Sequence, residues 1–202
     1  MLTKIFEFYF KSYYRFELDL SGVEDAAYRS QFARQLPDGC EFRILTHEDA
    51  DLLIKGETSE QIRQSKLARL ADAEHRKCFA IIDVEKNMLA YSCWTNSLKE
   101  YYHREFEKVF THDGSLVLFE TDFCSPTHRG MGLHSYCMLE RVLYAKRQGF
   151  RKAVINIHIR NTPALRTVEK FGFKKTLRLP LAYRKGTITY TLNRILKRNN
   201  PS

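Results

Sequence analysis

Residues 125–138 read SPTHRGMGLHSYCM, with one arginine, two glycines around a methionine, and no acidic residue. A turn of Arg129, Gly130, Met131 and Gly132 feeding a helix at Leu133 and His134 would point successive backbone N–H groups at one spot. The positive end of the helix dipole would point there too. Glycine lets the main chain come close to an anion, and the lack of carboxylates avoids repelling one. A phosphate is the natural occupant. The stretch is not a Walker loop, because no Gly-Lys-Ser/Thr follows. Nor is it G-x-G-x-x-G, because position 135 is serine. Two glycines before a helix also suit a purely structural turn, so the motif needs its context.

Just upstream, the run LVLFETDFC places Glu120, Asp122 and Cys124 at every second position. In an extended strand these would share one face. A carboxylate there could carry a proton, with Glu120 the first candidate and Asp122 the second. The structural alternative is a carboxylate paired with an arginine. Asn156 and His158 share the polar face of a later strand. Tyr101, Tyr102 and His103 could line a pocket or simply cover a surface.

The elements that must position these residues follow from periodicity. Apolar residues Phe6, Phe8, Phe10, Tyr14, Phe16, Leu18 and Leu20 recur with a period of two. That predicts one long strand or two short ones with a buried even-numbered face, at the edge of a sheet or against a second subunit. CEFRIL is a strand, Thr46 and Asp49 open a short helix, and SEQIRQSKLARLADAEHR is a longer one with Ile62, Leu67 and Leu70 at helical spacing. CFAIIDVEKNMLAYSCW is a hairpin turning at Glu85-Lys86-Asn87. Residues 96–114 exceed an ordinary hairpin loop and predict either a helical insertion over a site or a surface excursion. After the glycine turn, Tyr136, Met138, Leu139, Val142, Leu143 and Ala145 form a broad apolar helix face ending at Gly149. AVINIHI is a strand. NTPALRTVEKFG is a helix capped by Asn161 and stopped by Gly172. A C-terminal hairpin turning at Arg184-Lys185-Gly186 closes the chain.

The 202 residues, 44% hydrophobic, allow a packed domain of mixed strands and helices. No apolar stretch reaches the length of a membrane span, and the N-terminus lacks a cleavage site. Five cysteines without a CxxC pair predict buried free thiols in a reducing, cytoplasmic setting, with no metal. The net charge of +9 is uneven: from Arg141 onward there are 16 Lys and Arg against one acid, Glu169. A basic C-terminal part suits a polyanion such as nucleic acid, a membrane surface or a phosphorylated cofactor. Nucleic acid is disfavoured, because no RNP-like, zinc or helix-turn-helix pattern is present.

Strand, Pro126, the turn HRGMGL, a helix, a strand, then Asn161-x-x-Ala164 and Gly172-Phe173 together resemble the GNAT acetyltransferase superfamily. Arg129 and Gly132 match its acetyl-coenzyme A loop, and the later residues match its second motif. The resemblance is specific over about residues 116–175 and extends by element order from 41 to 195. It implies a GNAT-like single domain, 36–202, a mixed α+β fold with a splayed sheet flanked by helices. Residues 1–35 would be an N-terminal strand-like extension. It further implies acetyl-coenzyme A in the split of the sheet, its pantetheine pairing with backbone near Phe123 and Cys124. The pyrophosphate would sit on residues 129–134, with Asn161 and Ala164 also at the cofactor. Glu120 would be the base for direct attack by an amine, so no cysteine need be a nucleophile.

Three positions depart from the family pattern. His134 stands where the loop ends in glycine or alanine, and its side chain is expected to point outward. Val168 stands where many members carry a tyrosine that protonates the leaving thiolate. Residues 96–114 replace a short link. The implied activity is N-acetylation of a primary amine on a small molecule or an amino sugar, including a nucleotide-linked one. The alternatives are acetylation of a protein amine and a module that holds acyl-coenzyme A with little turnover.

Overall fold

Period-two apolar runs build one sheet whose two faces are both covered. The computed structural model describes residues 8–103, 108–184 and 187–188, with side chains over 13–100 and 111–178. Strand β1 (Phe8–Asp19) and helix α1 (Asp25–Phe32) come first. They are followed by β2 (Cys40–Leu45), α2 (Ala50–Ile54), α3 (Glu60–Ala71), β3 (Arg76–Asp83) and β4 (Met88–Asn96). A short hairpin, β5 (Glu100–His103) and β6 (Lys108–Thr111), leads to β7 (Leu116–Cys124) and α4 (Leu133–Arg147). The described chain closes with β8 (Lys152–His158), α5 (Thr162–Lys170), β9 (Lys174–Arg184) and β10 (Thr187–Ile188).

The main sheet has eight strands in the order β10-β9-β1-β8-β7-β4-β3-β2. All neighbours are antiparallel except β7 and β8, which run parallel. This is the mixed α/β architecture that the sequence predicts, with a helical layer on each face. On β3, Phe79 and Ile81 face α4 while Cys78, Ala80 and Ile82 face α2 and α3, so burial on both sides explains its unbroken apolar run.

Two expectations are corrected. Strand β1 is not at an edge: it lies between β8 and β9 and pairs with both. Phe16 and Leu18 of β1, and Leu20 just after it, bury in the chain's own core with Val142, Leu143, Ile155 and Phe171, while the side chains of Phe6, Phe8 and Phe10 lie outside the described residues. Of the two alternatives for residues 96–114, the helical insertion is not what the described residues form: they contain the β5–β6 hairpin. The side chains of Tyr101, Tyr102 and His103, all on β5, lie outside the described residues.

Under α4 runs a polar contact that the apolar pattern does not announce. Arg141 has no exposed side-chain surface, and its guanidinium donates to both carboxylate oxygens of Asp122, at 3.1 and 3.3 Å. It also lies 4.8 Å over the Phe119 ring. Burial pulls the Arg141 pKa down, but the Asp122 carboxylate together with Cys93, Tyr91 and Cys137 outweighs it, and the pKa lies above the ordinary arginine value. The Tyr91 hydroxyl donates to Asp122 Oδ2 at 2.9 Å, completing a link between α4, β7 and β4.

Phe16→Ala should cost about 3–5 kcal/mol in urea unfolding. Deleting residues 1–20, which strips β8 and β9 of their shared partner, should give aggregated protein on gel filtration; a soluble, folded truncation would contradict the central place of β1. Asp122→Ala leaves a buried guanidinium unpaired and should cost about 3 kcal/mol, the low end for such pairs because Asp122 is partly exposed. Adding Arg141→Met should restore much of that loss, and a double variant as unstable as the sum of the single variants would contradict the pairing.

Candidate active site

Strand β7 cannot serve two partners along its whole length. It pairs with β4 as far as Cys124, opposite Tyr91, but with β8 only over Leu116 to Phe119. The cause is a bulge. Thr121 has φ of 54°, and the register with β4 slips by one residue between Ser92 and Trp94. Beyond Phe119 the β8-facing edge of β7 therefore has no strand partner among the described residues, and the sheet opens. On the opposite lip, Asn156 Oδ1 of β8 is buried without a hydrogen-bond partner among the described residues.

The same bulge reverses side-chain parity. Glu120 stays on the α3 face with its cross-strand neighbour Trp94, and its carboxylate accepts from Arg76 at 2.8 Å. Asp122 emerges on the α4 face with Arg141, and Cys124 packs on that side with Leu133 and Cys137. The expectation that Glu120 shares a face with Asp122 and Cys124 is thus corrected, because simple alternation fails across a bulge.

The glycine turn is tied down before it begins. His128, 4% exposed, places Nε2 3.0 Å from Asp83 Oδ2 on β3, and its Nδ1 lies 3.0 Å from the Thr127 hydroxyl. With Nε2 donating to the carboxylate, Nδ1 is left to accept from Thr127. The Lys86 ammonium, then the Lys86 backbone N–H, hold the Asp83 carboxyl down to about 2. Downstream, Leu133 is 2% exposed and anchors the start of α4 in the core. Between these two anchors Gly130 and Gly132 take φ of 81° and 77°, a region that other residues rarely adopt. A Cβ at either position would meet no protein atom within 4 Å. Gly132 caps α4 without any side-chain hydrogen bond, and no acid stands in the first turn. The first-turn N–H groups, the open space before them and exposed Arg129 are placed so that they could hold an anion. Coenzyme A phosphates fit such a donor set, and the unpartnered edge of β7 beside Asn156 fits an extended polar chain such as pantetheine.

His134 does not point outward. Its ring stacks on Tyr91 at 6.1 Å, and Nε2 lies 3.4 Å from Asp122 Oδ2. Burial pushes its pKa below the ordinary histidine value against the pull of Asp122. Its side chain is therefore turned into the protein; the part of His134 that faces the glycine turn is its backbone. Asn161 and Ala164 are joined to each other, the Asn161 side chain accepting from the Ala164 N–H at 3.3 Å as the cap of α5. His158 accepts from the Arg160 N–H and meets Tyr13 edge-on, a structural position. Val168 is fully buried. The five cysteines are free, and among the described residues no group of three or more His, Cys, Asp or Glu could hold a metal. No helix among them is long and apolar enough to cross a membrane.

On the α2–α3 face, the bulge opens onto a cleft of about 790 Å³ bounded by α2, α3, β4 and β7. Ile62, Leu89, Trp94 and Phe123 give it an apolar wall. Ile62 and Phe123, at 47% and 48% exposed, are uncovered for their type. Arg69 projects into it from α3 and donates to the Thr121 hydroxyl at 2.8 Å. Sequence reasoning missed Arg69, Tyr91, Arg141 and the Asp83–His128 contact. For Arg141 a signal existed: it stands three residues after Met138 and four before Ala145, on the apolar line of its helix.

No family model and no curated protein matches the sequence. Solved structures match in shape. A tandem GNAT protein from the clavulanic acid biosynthesis pathway superimposes with a TM-score of 0.61 at 16% identity, over 88% of this chain and 54% of that one. A GCN5-related N-acetyltransferase-like protein from Streptococcus suis gives 0.63 at 11% identity, over 88% of this chain and 62% of that one. A glucosamine N-acetyltransferase region in a fungal multi-domain GH3 β-N-acetylglucosaminidase gives 0.60 at 12% identity, over 89% of this chain and 21% of that one. The chain thus spans less than two thirds of each of these proteins. Identities this low carry the fold and not the chemistry. By its split sheet, its glycine turn and these superpositions, the chain has the fold of the GCN5-related N-acetyltransferases.

Proposed function

We propose that the protein transfers an acetyl group from acetyl-coenzyme A to a primary amine of a small molecule. The observation that carries this reading is the junction of two features in one place. The β7–β8 split opens at the Thr121 bulge, and the uncapped N-terminus of α4 follows it directly behind Gly130 and Gly132. Backbone N–H groups of residues 130–134, with Arg129, would hold the pyrophosphate. The free edge of β7 near Phe123 and Cys124 would pair with the pantetheine arm. The capping pair Asn161 and Ala164 would stand at the cofactor's far side. Acetyl-coenzyme A would supply the activated thioester.

The chain's own residues then have to present an amine with its proton removed. Of the two carboxylates on β7, Asp122 is committed to Arg141 and Tyr91, whereas Glu120 carries a single ion pair on the α3 face, next to Thr121 of the cleft wall. Glu120 takes the ammonium proton through a water, and Arg76 keeps its carboxylate oriented. Burial pushes the thiols of Cys78, Cys137 and Cys124 upward, which suits packing rather than nucleophilic attack. Direct attack by the amine is the chemistry these residues support, and the free thiols support a reducing, cytoplasmic setting. Buried Val168 offers no proton to the leaving thiolate, so that proton comes from solvent or another group. This same position favours a second reading, a module that binds acyl-coenzyme A with little turnover.

Coenzyme A should raise the melting temperature, because the site exists only in the folded chain. Gly132→Asp, which adds a carboxylate and a Cβ at a φ of 77°, should abolish that rise; a melting temperature indifferent to millimolar coenzyme A would refute the cofactor site. Thiol release from acetyl-coenzyme A across an amine panel separates turnover from binding alone. Glu120→Gln should lower turnover by roughly 10²-fold with coenzyme A affinity kept, and raising the pH should partly rescue it. Near-normal turnover with an unchanged pH profile would reassign Glu120 to its ion pair with Arg76.

A further inference from the structure

We infer that the acceptor is an amine that also carries an anionic group, a carboxylate or a phosphate, beside an apolar body; this deepens the transferase reading and rests on it. The argument is the charge balance of the cleft that opens at the bulge. Four cations line it, Lys55, Lys66, Arg69 and Lys86, against two carboxylates, Glu57 and Asp122. Both carboxylates are already engaged. Glu57 pairs with Lys66 at 3.3 Å, and Asp122 is held by Arg141 from the opposite face. Lys86 is matched by Asp83 at 2.7 Å. Lys55 and Arg69 remain without a carboxylate among the described residues. Lys55 Nζ donates to the Asn87 carbonyl, and Arg69 donates one N–H to the Thr121 hydroxyl.

The position of Arg69 matters as much as its charge. Its bond to Thr121 fixes the guanidinium at the bulge, where the acetyl group would be delivered, and leaves further N–H groups of the fork free. A cation-only acceptor such as a polyamine would meet two unbalanced positive charges there. An amine with a carboxylate or phosphate neighbour is drawn in by the same charges. Its apolar part faces Ile62, Trp94 and Phe123, the exposed wall of the cleft. A cleft of about 790 Å³ has the size of a small-molecule site.

Matched pairs at saturating acetyl-coenzyme A test this: leucine against leucinamide, and an amino sugar 6-phosphate against its unphosphorylated parent. Thiol release should favour the anionic member of one or both pairs by roughly 10- to 100-fold in kcat/KM, the range of a charge-assisted hydrogen bond. The pair that shows the preference tells carboxylate from phosphate. Arg69→Gln should collapse the preference through KM, Arg69→Lys should keep part of it, and Lys55→Gln should weaken it independently. Neutral members used as well as anionic ones, or a preference that survives both glutamine substitutions, would overturn the acceptor class while leaving the transferase reading intact. Coenzyme A binding without thiol release to any amine would instead overturn the transferase reading, and this inference with it.

Discussion

A strand that has to satisfy β4 on one side and leave β8 on the other needs a place to turn, and the bulge at Thr121 is that place. Everything that resembles a site is arranged around it. Upstream, Val117, Leu118 and Phe119 are ordinary core residues, packed on both faces of the sheet. Downstream, one edge of β7 has lost its strand, and Glu120 and Asp122 face opposite layers. A residue with φ of 54° that is not glycine costs free energy, of order 1–3 kcal/mol, and persists only where its surroundings impose it. Here the surroundings are identifiable. Arg69 holds the Thr121 hydroxyl from one face, and Arg141 holds Asp122 from the other.

The buried Arg141–Asp122 pair is therefore better understood as a positioning device than as a source of stability. Ion pairs withdrawn from water gain little net free energy relative to apolar packing. What the pair provides is geometry: α4, whose N-terminus follows the glycine turn, is locked to the strand that borders the split. Tyr91 and His134 gather on the same carboxylate, so the first turn of α4 and the bulge cannot shift independently. The Asp83–His128 contact does the same for the other end of the loop, tying it to β3. A loop with two glycines at positive φ would otherwise be free to collapse, and it is held open from both sides.

Charge is distributed to match. The basic excess after Arg141 belongs to the half of the chain that contains α4, β8, α5 and β9. The cations of the cleft come from the other half, on α2, α3 and the β3–β4 turn, where the overall balance is acidic. The whole-chain count thus records the basic half while hiding the local surplus of cations at the cleft. Only by pairing each acid with its partner does the surplus at Lys55 and Arg69 emerge.

Much was legible in the sequence alone. Hydrophobic periodicity located the strands and the long helix, since burial of one face or two leaves a direct mark on residue order. Gly130 and Gly132 before an acid-free helix start announced the turn that feeds α4, because positive φ demands glycine locally. Asn161 announced its helix cap in the same local way. What the tertiary structure alone decided is whatever depends on partners distant in the chain. Alternation placed Glu120 and Asp122 together, and a single extra residue in the register with β4 set them apart. His134 turned inward because Tyr91 and Asp122, separated from it in sequence, wait beneath the helix. Strand β1 entered the sheet between β8 and β9 because pairing is settled by which edges remain open, and a strand's own residues carry no record of that.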